Sequence, residues 1–142
     1  MAGTDRSRES LAGGPRVVLV EPQLGENIGA VARAMLNCGL NRMSLVKPKQ
    51  GWPNQKAVTM ASGATEVLDN AQLFDTTEEA VAGITTLYAT TARPREITVR
   101  VIPPRQAGAE MRAAEERGEE VGLLFGPERS GLTNDHIVLA DT

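Results

Sequence analysis

Aromatic residues are scarce in this 142-residue chain: one Trp, one Tyr and two Phe make up 3% of it, so a core must be packed from Val, Leu, Ile, Ala and Met. A single cysteine, Cys38, excludes an internal disulfide framework, and a single histidine, His136, excludes the familiar His-rich metal sites. Cys38 reads as a small buried residue, and His136 as a first-turn helix residue rather than a general base. No apolar run approaches the roughly 20 residues of a membrane span, and the amino-terminal stretch has no apolar signal core. These absences predict a cytoplasmic protein with neither a membrane nor a metal partner. Net positive charge is missing too. At −3, with a pI near 5.2, the chain does not read as a domain that grips nucleic acid by bulk electrostatics.

The charge is nevertheless uneven. Arg93, Arg95, Arg100 and Arg105 face one acid, Glu96, between residues 90 and 105, whereas residues 106–120 hold five Glu against two Arg. A local basic strip on an acidic protein can guide a polyanion; scattered arginines on a solvated loop are the competing reading. The length suits one domain with one sizeable core. Residues 1–14, polar and rich in Gly, Ser and Arg without periodicity, read as a disordered tail, which leaves 15–142 as the domain.

Along that domain, residues 16–21 (RVVLVE) form a β-branched run that Pro22 ends, and a loop through Asn27 leads into residues 28–39, whose apolar positions Ile28, Val31, Ala32, Met35 and Leu36 fall at helical spacing. Gly39 closes that helix. Residues 43–46 make a second strand. The loop after it carries Trp52, read as an anchor on the core in preference to an exposed stacking platform. Residues 55–61 form a short helix, 65–68 are of uncertain type, 76–81 open a brief helix with a hydroxyl cap, and 85–90 (TTLYAT) are a third strand. Pro103-Pro104 precede a helix over 105–117. The alternation of strand and helix predicts an α/β fold, a mostly parallel sheet with helices on both faces. Right-handed crossovers then carry loops 22–27, 91–95 and 126–131 to one edge.

The stretch from Val121 to Asp135, VGLLFGPERSGLTND, concentrates the candidate chemistry. Residues 121–125 read as a buried strand stopped by Gly126-Pro127, and a loop leaving the carboxyl end of such a strand is where open α/β sheets place ligands. Glu128 supplies one fixed charge there, either for a ligand or simply for pairing with a nearby Arg. No G-x-G-x-x-G follows the first strand and no phosphate-cradling G-x-x-x-x-G-K-[ST] occurs, which weakens the dinucleotide and nucleoside-triphosphate readings. Asn27 suits a helix cap or a site residue. Arg33 stands on a helix of small and apolar residues, which calls for a partner: a buried Glu128, or a phosphate or ribose of a substrate.

Residues 26–35 (ENIGAVARAM), followed by Cys38-Gly39-Leu40, resemble the first motif of the SpoU/TrmH methyltransferases of the SPOUT superfamily, and residues 124–133 (LFGPERSGLT) resemble the second. The intervening segments 61–64 (ASGA) and 89–93 (ATTAR) are similar to the TrmJ-like subgroup, tRNA ribose 2'-O-methyltransferases acting in the anticodon loop. The likeness spans about residues 16–142. It implies a SPOUT (α/β knot) fold, S-adenosyl-L-methionine as methyl donor, a tRNA substrate, a homodimer, and no metal. By position it makes Arg33 the catalytic arginine, with Asn27 and Glu128 as its polar companions. It sets Thr90, Thr91, Ala92 and Gly126 against the cofactor, and Arg93 and Arg95 are expected to meet the RNA. The family's third motif, the knot segment, is expected beyond Thr142, so the chain is expected to be an incomplete copy of the domain, with its activity alone left open. A non-catalytic RNA-binding or dimerisation module, in which Arg93, Arg95 and Arg100 make the contacts, is the alternative, and an unrelated α/β enzyme is a second.

Overall fold

The computed structural model describes residues 14–91 and 99–142. Five parallel strands form one sheet in the order β3-β2-β1-β5-β4. These are β1 (Arg16–Val20), β2 (Met43–Val46), β3 (Gln72–Phe74), β4 (Thr86–Ala89) and β5 (Val121–Phe125). The helices are α1 (Gly25–Asn37), α2 (Gln55–Ala61), α3 (Thr65–Asp69), α4 (Thr77–Val81), α5 (Pro104–Glu116) and α6 (Asn134–Ile137).

Alternation along β1 divides the core. Val17 and Leu19 pack with Met43 and Leu45 against Ile28, Ala32 and Met35 of α1 and against α2 and α3. Val18 and Val20 point the other way, to Val46, Leu124, Ala80 of α4 and Ile137 of α6. A third cluster joins Tyr88 and Val121 to Ala114 of α5. Both β1 and β2 are buried almost throughout, which is why their sequences are continuous apolar runs and not alternating ones.

The parallel, doubly covered sheet agrees with the sequence reading, and three details depart from it. Strand β3 went unpredicted: Gln72 and Leu73 are exposed, so this edge strand shows neither an apolar run nor a period. Helix α1 begins at Gly25, not Ile28, because distant side chains satisfy its first turn: Gly25 N–H donates to Gln50 Oε1 (2.9 Å), while Leu24, the N-cap residue, offers no side-chain cap. Cys38 is exposed rather than buried, since it is the C-cap of α1 and lies beyond the helix's apolar stripe. Trp52 packs, partly buried, on the first cluster, as an anchor should.

Candidate active site

All five strands run the same way, so the loops after β1, β2, β4 and β5 leave from one edge of the sheet. Strand β5 stops at Gly126-Pro127, where the loop turns back with Gly131 N–H donating to Pro127 O (2.8 Å). A Cβ on Gly126 would collide with the backbone of Gly131 and Leu132, so this turn accepts no side chain there.

The turn delivers Glu128 to the loop after β1. Its carboxylate accepts from Gln23 N–H (2.9 Å), from Leu24 N–H (3.2 Å) and from Asn27 Nδ2 (2.6 Å). In return Gln23 Oε1 accepts from Arg129 N–H (3.1 Å). Two loops far apart in sequence are thus stapled by reciprocal bonds. Partial desolvation raises the Glu128 carboxyl, but the Asn27 amide and the backbone N–H donors, Gln23 first among them, outweigh it and hold the group below the usual carboxylate range. Among the described residues Glu128 therefore answers amides and no arginine, and it is exposed; the buried Arg33–Glu128 pair does not form.

Asn27 stands at the third position of α1, so its side chain spans to Glu128 instead of capping the helix. A cavity of about 200 Å³ opens beside the pair, lined by Leu19, Pro22, Ile28, Val31, Phe125 and Gly126 as well. Arg33 lies on α1 outside that lining, exposed, with no hydrogen bond or ion pair among the described residues. The geometry joins Asn27 with Glu128 and leaves Arg33 facing solvent.

At the adjoining end of β4, Thr90 N–H and Thr90 Oγ1 both donate to Leu124 O (3.0 and 3.1 Å), which ties Thr90 to β5 two residues before Gly126. Ala92, Arg93 and Arg95 lie outside the described residues. Arg100, the remaining arginine of the proposed RNA-contacting set, is engaged by Glu110 of α5 (2.8 Å through Nη1) and by Thr142 (3.0 Å). His136 completes a capping box on α6, where its Nδ1 lies 3.3 Å from Thr133 N.

Two residues that fasten the loop after β1, Gln23 to the Glu128 loop and Gln50 to the first turn of α1, escaped the sequence reading. Gln23 and Gln50 are loop glutamines whose only signal was polarity, and their role depends on partners that spacing does not reveal. Among the described residues no cluster of three or more His, Cys, Asp or Glu could hold a metal ion, and no helix is long and apolar enough to cross a membrane.

Comparison with known proteins gives concordant findings. A family profile described as the SpoU rRNA Methylase family matches residues 14–142. A Pseudomonas aeruginosa protein described as tRNA (cytidine/uridine/adenosine-2'-O-)-methyltransferase TrmJ is 43% identical over 122 residues, covering 86% of this chain and 47% of that protein. The chain thus spans about half the length of the curated relatives it matches. The crystal structure of TrmJ from Z. mobilis ZM4 superposes with a TM-score of 0.85 at 52% identity, over 90% of this chain and 56% of that one. SpoU methyltransferase AviRb from Streptomyces viridochromogenes, in complex with its cofactor AdoMet, shares the fold at 18% identity, with a TM-score of 0.63 over 91% of this chain and 46% of that one.

Proposed function

Because this chain belongs to the SpoU rRNA Methylase family, we propose that it forms part of an S-adenosyl-L-methionine-dependent enzyme that methylates a ribose 2'-hydroxyl of tRNA, an anticodon-loop nucleotide by likeness to its subgroup. The observation that carries the reading is the Glu128 staple: it fixes the first-motif loop against the second-motif loop, and Arg33, on the same helix as Asn27, keeps its guanidinium uncommitted among the described residues.

The bound sulfonium supplies an already activated methyl group. What remains for the protein is alignment of hydroxyl, methyl and leaving sulfur, and help with the departing proton. In this reading Arg33 stabilises the charge that develops on the ribose oxygen, as a permanently charged, planar donor can. Asn27 and Glu128 spend their polar atoms on each other and on the backbone, so they position α1. Thr90, Thr91, Ala92 and Gly126 hold the cofactor, and Arg93 and Arg95 meet RNA phosphates. The protein works in the cytoplasm as a homodimer. Exposed Leu24 and Phe125, near the cavity, supply apolar surface for a second copy.

Transfer of labelled methyl from S-adenosyl-L-methionine to unmodified tRNA tests the proposal, with the complete reading frame assayed beside the 142-residue chain. Label in tRNA ribose is expected with the complete protein. Salt-dependent RNA binding without cofactor binding would favour the non-catalytic module instead, and indifference to tRNA would favour another α/β enzyme.

A further inference from the structure

The loop that follows β2 carries chemistry that no motif draws attention to. Lys47 and Glu21 are the residues immediately after the adjacent strands β2 and β1, and both hold left-handed backbone, with φ of 44° and 47°. Side chains rarely adopt that region, and such strain persists where surrounding contacts over-determine it. The contacts are present. Glu21 N–H donates to Val46 O (2.7 Å), Lys47 N–H to Phe74 O (3.2 Å) and Lys49 N–H to Pro22 O (2.9 Å). Lys49 Nζ pairs with Glu21 (2.8 Å), and Gln50 Oε1 accepts from Gly25 N–H. The loop bearing Lys47 and Lys49 is therefore fastened through its backbone to the loop that Glu128 clamps, and the Lys49 ammonium is held at Glu21.

Their charge is in surplus. Among the described residues Glu21 is the one carboxylate paired with either lysine, through Lys49; the Lys49 hydrogen bond, against desolvation, leads the effects that hold its carboxyl low, with the charges of Lys49, His136 and Lys47 adding to it. Lys49 has further N–H donors beyond the one Glu21 uses. Lys47 is exposed and has no ion pair among the described residues; Asp75, which follows β3, is exposed and makes none either. Two cations against one carboxylate, on a loop whose backbone is fastened, suit a polyanion whose charges repeat at regular spacing.

We propose that Lys47 and Lys49 contact the phosphate backbone of the RNA substrate and set its register at the carboxyl edge, an inference that rests on the RNA-methylating reading of the site. Lysine meets phosphate as a point charge, so these contacts position the RNA without reading its bases.

The test is tRNA binding by the full-length protein that carries this chain, measured over a salt series, for wild type, Lys47→Ala, Lys47→Gly, Lys47→Arg and the control Lys56→Ala. Lys56 is exposed, in the first turn of α2, and removes the same charge elsewhere. Lys47→Gly fits the left-handed backbone and guards against misfolding. Both Lys47→Ala and Lys47→Gly are expected to weaken binding several-fold at low salt and to flatten the log K against log salt slope by about 0.7–0.9, the value of one lost phosphate contact. Lys47→Arg should keep the slope, Lys56→Ala should leave it unchanged, and S-adenosyl-L-methionine binding should be equal in all. A wild-type slope in Lys47→Ala and Lys47→Gly, or an equal change in Lys56→Ala, overturns the inference while the methyltransferase reading stands. Wild-type protein that binds no tRNA at any salt overturns both.

Discussion

Glu128 is the residue on which the two motif loops converge, and replacing it tests the staple directly. Glu128→Ala strands the N–H groups of Gln23 and Leu24 and the Asn27 amide. Because the carboxylate is exposed and water can replace it, a loss of about 1 kcal/mol in stability is expected, read as a shift in denaturant midpoint at constant slope. Glu110 makes the matching case away from the site. The Arg100 hydrogen bond, opposed by desolvation and aided by Gln106 and Tyr88, pulls its carboxyl from 4.5 down to about 2. A carboxyl depressed on folding contributes stability above its unfolded value and loses that contribution as pH falls through the folded one. Unfolding midpoints followed between pH 4.5 and 2 should therefore fall less steeply in Glu110→Gln than in wild type; identical acid limbs would show that the pair adds nothing. Asn27 and Glu128 were each legible through their motifs, but their bond to each other was not, since the partner weighed for Glu128 was Arg33. Gln23 and Gln50 were not, because a loop amide bonds to whatever tertiary structure brings near, and nothing in its own neighbourhood encodes that.

At the scale of elements, the helices meet most closely where α1 crosses α2. A Cβ on Gly29 would collide with Ala57 O and come within 2.9 Å of Met60 Cβ, so Gly29→Ala must push backbone. About 2 kcal/mol of destabilisation is expected. Gly108, mid-way along α5, has open space where its Cβ would be. Gly108→Ala should accordingly stabilise by about 0.5–1 kcal/mol, through helix propensity alone. Chemical denaturation of the two variants side by side checks both signs, and a neutral Gly29→Ala would mean that α1 and α2 can separate at little cost. The sequence showed α2, β2 and β5 to the residue, because caps and apolar runs are local. It missed β3 and the first turn of α1 because each is completed by another segment: β3 by its pairing with β2, and the turn by Gln50.

For the whole molecule, the parallel sheet followed from the alternation of apolar runs with helical periods, and the meeting of the motif loops followed from crossover handedness. The freedom of Arg33 did not, since its spacing suited a buried partner equally well. That freedom makes a clear prediction for the complete protein: Arg33→Ala should abolish methyl transfer while stability stays within about 0.5 kcal/mol of wild type, as a side chain that is exposed and unpaired among the described residues allows. Wild-type-like turnover would remove Arg33 from the chemistry. The staple between Asn27 and Glu128 also has a history in time, because its two halves are 101 residues apart. A ribosome adding about 5–20 residues each second delivers the second half on the order of 5–20 seconds after the first. Throughout that interval β1 has no β5 beside it, and Val18 and Val20 wait without Leu124 or Ile137 to cover them. The nascent chain thus carries its RVVLV run half-clothed, a ready target for chaperones, until Ile137 has emerged.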